Sequence, residues 1–354
     1  MSFDITQMWD EYNISSLEQQ MDKLFPDYSF DLGKLFETII SGDIVGALSD
    51  VWKGAIHNLS LQTLGVREVL VYLIVLGIIA ALITHFVEVF DNHQIANISF
   101  YFVYLLLIAV LLRCFQTAAS ITSEAINNIV AFIQIFIPTY FLSVGVATGT
   151  TTATAYYQLL LLLIYIVEKI IKVIILPTIY GYVLLSVING IWIEERLSLL
   201  TEFMEKAIKL ALKISLGLVT GISIFQSMIT PVIDSVKASA LQKTVSAIPG
   251  IGNLADGVVD VVIGSAVVIK NSIGVAMLLL LLAICILPML RIFLIALLLK
   301  FAAALLGIVS YKRITACTDK VGNGSVLLLH TAGTALLLFL ITISVAAYTT
   351  NRGF

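Results

Sequence analysis

Five charged residues stand inside long apolar runs of the 354-residue chain: Glu168, Lys169, Lys172, Arg291 and Lys300. A charge at the centre of a membrane helix costs about 2.5–3.5 kcal/mol on the insertion scale, so each must line a polar path, couple an ion or be neutralised. Glu168 and Lys172 have i, i+4 spacing with the acid first, the favourable order for a pair on one helix. That local pair weighs toward a structural role, with Arg291 and Lys300 snorkelling to an interface or meeting partner helices. Asp256 and Asp260, one turn apart, present either a cation site or, more simply, the wet face of a helix.

Catalytic chemistry finds little support. The chain has no HExxH, GxSxG, P-loop or DxDxDG pattern. His57, His85, His93 and His330 are scattered, and Cys114, Cys285 and Cys317 stand alone without CxxC spacing. These features predict no enzyme activity, no metal and no cofactor.

The elements that must carry these charges are set by composition. Hydrophobic residues make up 59% of the chain, charged residues 12%, and the mean hydropathy is +1.03. A soluble domain carries about 25% charged residues, so this surface cannot stay wet. Continuous blocks such as Leu159–Val167 and Met277–Leu287 exclude an alternating β-barrel pattern. The fold class expected is therefore all-α, a polytopic helical membrane protein. A net charge of −3 with dispersed basic residues excludes a nucleic-acid interface.

Residues 1–66 form a polar N-terminal region. Ser15 and Glu18 have capping-box spacing, Asp31 caps a second helix with Leu32, Leu35, Phe36, Ile39 and Ile40 on one face, and a third begins near Asp43. No basic-then-apolar leader precedes them, so Met1 is either a cytoplasmic start or a methionine ahead of a mature sequence. The membrane domain begins at residues 67–230 with spans Glu68–Phe90, Ile98–Ala118 and Ile126–Val146. Tyr156–Gly190 is too long for one straight crossing; Pro177 predicts two half-helices or a kink. Ile193–Lys213 is amphipathic and leads into Leu210–Met228, which carries the close-packing pair Gly217 and Gly221.

Residues 231–273 read as two amphipathic helices in a hairpin, stopped by Pro249-Gly250 and turned at Gly252-Asn253, with Asp256 and Asp260 outward. The C-terminal group, 274–354, opens with the long run Val275–Val309, interrupted by Pro288, Arg291 and Lys300. A basic loop Tyr311–Gly324 follows, then the span Ser325–Tyr348. The basic bias places that loop in the cytoplasm. About seven spanning elements result, with six to eight allowed by the long runs. If Val275–Val309 crosses once, the hairpin lies outside. Prolines after aliphatics at Pro138, Pro177 and Pro288 are a weak internal echo. They fit a transporter-like repeat or, more simply, chance in apolar helices.

Several segments around the hairpin have a pattern no generic membrane constraint dictates. They are Gln226-Ser-Met-Ile-Thr-Pro231, Ser239-Ala-Leu-Gln-Lys243, Ile248-Pro-Gly-Ile-Gly-Asn253, Gly264-Ser265 and Lys270-Asn-Ser-Ile-Gly274, followed by LLLAICILPMLRI. On these residues the chain resembles the stage III sporulation protein AE family of endospore-forming Firmicutes, from about Val66 to the C-terminus. It departs at the N-terminus, where family members usually carry a cleavable signal peptide.

The resemblance implies a non-enzymatic subunit of the channel or secretion-like complex joining mother cell and forespore. It implies a place in the mother-cell membrane around the engulfed forespore. Its implied partners are other proteins of the stage III operon, including a secretion-type ATPase and ring-forming subunits, and the forespore stage II protein across the intermembrane space. Two other readings stay open: a stand-alone ion-coupled transporter using Glu168 and its neighbours, and a scaffold with no conducting path. In the sporulation-complex reading, Pro249, Gly250, Gly252, Asn253, Asp256 and Asp260 would serve as a partner-docking hairpin.

Overall fold

A computed structural model describes residues 18–19, 31–61, 71–72, 75, 79, 93–148, 162–163, 165–191, 196–245, 252–309 and 312–349. These residues are helical, with short turns and no strand among them. The helices are α1 (Leu32–Ile40), α2 (Ile44–Leu61), α3 (His93–Thr148), α4 (Leu176–Asn189), α5 (Ser198–Val245), α6 (Gly252–Val309) and α7 (Lys312–Thr349). Among the described residues four stretches are long and apolar enough to cross a membrane by length and composition: Tyr104–Val144, Tyr165–Asn189, Val267–Ile308 and Lys312–Val345. The first expected span, Glu68–Phe90, lies almost wholly outside the described residues.

The N-terminal expectations hold at both helix caps and, apart from Ile40, along the described face of α1. Asp31 accepts from Lys34 N at 2.9 Å and caps α1, and Asp43 accepts from Gly46 N at 2.8 Å at the start of α2. Gly42, at φ +86°, makes the turn between them, a conformation that glycine adopts without a Cβ penalty. Leu35, Phe36 and Ile39 are buried as their shared face requires, while Ile40 is exposed. Lys34 pairs with Asp50 at 2.9 Å across the two helices, and both helices pack against α6.

Two expected interruptions are absent. The gap expected between Ala118 and Ile126 is helical, and α3 runs unbroken for 56 residues. Three hydroxyls at the expected gap are satisfied within the helix: Thr117 bonds back to Arg113 O, Ser120 to Thr117 O and Thr122 to Ala118 O. A hydroxyl that bonds its own backbone does not need a loop. The expected loop Tyr311–Gly324 is helical from Lys312, as the first turns of α7. Ile314, Cys317, Thr318 and Val321 are buried at helical spacing, so the segment has a core-facing stripe despite its charges.

Prolines act unequally. Pro138 and Pro288 sit inside continuous helices α3 and α6. Before Pro177 the helix widens into a π-turn, Ile170–Ile175. Proline cannot donate to the carbonyl four residues back and its ring crowds that group, and a wider turn relieves both. Tyr156–Gly190 is thus one helix with a π-turn over its described part, Tyr165–Asn189, rather than two half-helices.

The helices alternate in direction. Gly307 meets Thr315, Gly322 meets Lys300, Gly333 meets Met289 and Gly274 meets Ala347, so each step along α7 is matched by one back along α6. Tyr182 reaches Glu205 while Asn189, further along α4, meets Leu197 just ahead of α5, so α4 and α5 are also antiparallel. Phe115 stacks edge-on against Tyr180, and Tyr104 reaches Val187, which orients α3 against α4. α7 packs against α3, α4, α5 and α6 and is the centre of the bundle. At 1.5 Å per residue, α3 and α6 are each longer than about 80 Å, well beyond a bilayer core of about 30 Å. Part of each must tilt strongly or project.

The hairpin expected at 231–273 merges with its neighbours. Its first limb is the end of α5 and its second the start of α6, each continuous with an apolar stretch. Gly252, expected in the turn, opens α6 as its first residue.

Candidate functional site: the charges within the helix bundle

The charges singled out by position meet different fates. Glu168 and Lys172 form the expected ion pair one turn apart, both partly buried, with Lys172 on the π-turn. Lys169 is exposed, and Arg291 is partly buried on α6. Lys300 reaches across to α7 and donates to Asp319 Oδ1 at 2.6 Å. Its aliphatic stem crosses Gly322: a Cβ there would stand 3.3 Å from Lys300 Cδ. A glycine one turn beyond the aspartate thus lets the lysine reach it.

Around this pair, one end of the bundle is tied together by polar contacts. Arg313 of α7 donates to Gly190 O at 3.2 Å and to Ile191 O, filling the open carbonyl end of α4 with a cation. Tyr104 Oη donates to Val187 O at 2.9 Å and packs on Gly190, where a Cβ would stand only 1.9 Å away. Asn189 Oδ1 accepts from Leu197 N at 2.7 Å and closes the α4–α5 turn. Tyr182 Oη meets Glu205 at 3.3 Å, and Glu205 also pairs with Lys209 at 2.7 Å. On the outer surface of α5, Lys206 hydrogen-bonds Glu202 and holds its carboxyl below the usual value, while Glu202 raises Lys206.

Sequence reasoning missed one charge. Lys270 is fully buried in α6, on a stripe with Ile273, Met277, Leu280, Leu281 and Ile284. The signal was present: these positions recur at helical spacing when the apolar run is followed back through Lys270-Asn271-Ser272. Treating that segment as a separate hairpin limb hid it.

Gly217 and Gly221 face outward on α5, with nothing within 4 Å of where a Cβ would be. Among the described residues no other helix packs against them. Gly252, Asn253, Asp256 and Asp260 lie in the first turns of α6; Pro249 and Gly250 lie outside the described residues. Cys114, Cys285 and Cys317 are free and buried, and among the described residues no His, Cys, Asp or Glu cluster could hold a metal.

Long apolar helices tied by internal ion pairs and capped carbonyls define a helical integral membrane protein. The profile described as Stage III sporulation protein AE matches residues 30–350, and the chain belongs to that family. A curated relative, Stage III sporulation protein AE of Bacillus subtilis (strain 168), is 23% identical over 314 residues, covering 88% of this chain and 78% of the relative. No solved structure matches. The chain is thus a membrane protein of sporulation.

Proposed function

We propose that this protein is a non-enzymatic membrane subunit of the channel or secretion-like complex between mother cell and forespore, sitting in the mother-cell membrane around the forespore. Its partners would be other stage III operon proteins, including a secretion-type ATPase and ring-forming subunits, and the forespore stage II protein. The observation that carries this reading is how its intramembrane charges are used. Lys300–Asp319 and Arg313 on the α4 carbonyls tie helices of the bundle together, and Glu168 and Lys172 neutralise each other within one helix. Groups committed to holding helices suit a platform better than a carrier that must release an ion each cycle. Gly217 and Gly221 then offer a helix of another subunit close approach to α5.

The test is sporulation and co-purification of the stage III operon proteins with a Gly217→Leu/Gly221→Leu chain. We expect loss of captured partners and of spores, with the variant still present in the membrane at normal level. Normal spore yield together with full partner capture would remove α5 from the interface.

The π-turn bearing Lys172 favours a second reading, ion-coupled transport through Glu168, because such turns concentrate at functional sites. Under that reading Glu168→Gln abolishes ion-dependent solute uptake by liposomes containing the purified chain and leaves complex assembly intact. We expect no such uptake from the unmodified chain.

A further inference from the structure

We propose that the groove between α5, α6 and α7 holds an acyl chain of an anionic phospholipid, with the lipid phosphate on Lys209 and Lys213. The groove has a volume of about 690 Å³ and walls that are almost wholly apolar. That size falls in the range of about 300–1,000 Å³ typical of small-ligand sites. Two of its three walls belong to stretches apolar enough to span a membrane. A dry void there would leave its lining without contact partners, so hydrocarbon must fill it.

The charge pattern chooses the kind of lipid. Lys209, Lys213 and His330 are the titratable residues lining the groove, and none of its lining residues is acidic. Lys209 shares its charge with Glu205. Lys213 has no acid within a turn of α5: Lys209 and Leu210 precede it, and Leu216 and Gly217 follow. Basic pockets between membrane helices at the headgroup level bind anionic lipid heads.

The direction of the helices agrees. Because α6 opposes α7 and α5 runs with α7, Phe293 and His330 lie toward the lysine end. Leu282 and Leu337 lie at the far end. The groove therefore has a basic mouth and an apolar tail, the polarity of a lipid in one leaflet. His330 can add an N–H to a phosphate or ester oxygen.

The experiment is native mass spectrometry of the full chain released from nanodiscs of equal parts phosphatidylcholine and phosphatidylglycerol. Phosphatidylglycerol should be retained in preference. Lys209→Gln and Lys213→Gln should each weaken that retention about fivefold, the contribution of one basic residue at an anionic surface. Lys206→Gln, exposed on the same helix outside the groove, should change nothing. Gly333→Leu, beside Met289 in the groove wall, should displace lipid of either headgroup. Equal retention of the two lipids that no lysine variant alters would overturn the proposal. So would displacement by glycerol phosphate alone, which would mean a headgroup site without a chain. A Leu290→Cys chain that cross-links to another copy in the nanodisc would assign the groove to a protein contact instead.

Discussion

Two sets of helix glycines look alike in sequence and behave in opposite ways. On α7, Gly322, Gly324 and Gly333 each have a side chain of another helix against them, and a Cβ on Gly324 would stand 2.3 Å from Val183 Cγ2. On α5, Gly217 and Gly221 carry the recognised close-packing spacing and meet nothing among the described residues. The spacing permits close approach, but a partner in place decides whether it happens. The α7 glycines complete this chain's own core. The α5 glycines leave a surface unfinished.

The sharpest way to break that contrast is Gly324→Val. It must displace buried Val183 and Phe115, so we expect a loss of about 3 kcal/mol, the upper part of the overpacking range. Thermal unfolding in detergent measures it. Gly217→Val, by contrast, should stay within about 0.5 kcal/mol in the isolated chain, as for a surface change. Equal losses at both sites would erase the distinction.

Arg313→Gln tests whether the same filled region depends on its polar ties. It strips a cation from two carbonyls at the end of α4, and we expect a cost of about 2 kcal/mol for hydrogen bonds to a charged group. Hydrogen exchange at residues 186–191 should rise with it. Lys300→Asp with Asp319→Lys sharpens the role of Gly322. The single changes should each cost about 1 kcal/mol or less, because the two side chains are 34% and 46% exposed. The double change should recover much of that loss.

The smallest effect lies at the Lys34–Asp50 pair that joins α1 to α2. Lys34 holds the Asp50 carboxyl below its usual value, first by hydrogen bonding and then by charge. A depressed carboxylate contributes stability above its ordinary range and loses it as pH falls through the lower folded value. Lys34 is raised in turn, so its share is complete below the ordinary lysine range and fades at more alkaline pH. Exchange protection of α1 and α2 should therefore be flat near neutrality and weaken only at the acid and alkaline extremes.

Much of this was legible from residue order. The caps at Asp31 and Asp43, the buried face of α1 and the Glu168–Lys172 pair all follow from spacing within one or two turns. Local hydrogen bonds and i, i+4 contacts need no knowledge of the rest of the fold. The family pattern around 226–274 was also readable. Helix ends were less so: polar stretches 119–125 and 312–324 look like breaks, yet Ser120, Thr122 and Thr318 bond back to their own helix and the apolar residues have a core to face.

The chain by itself determined its class and its local turns. Composition forces helices into a membrane, and short-range chemistry sets their caps and pairs. Only the tertiary structure decided which charges and glycines matter. Lys300 finds Asp319 nineteen residues away, Arg313 finds carbonyls over a hundred residues back, and Lys270 is buried while Gly217 and Gly221 are left open. Those outcomes depend on which helix lies beside which. That choice is made by packing over the whole bundle, not by any window of sequence.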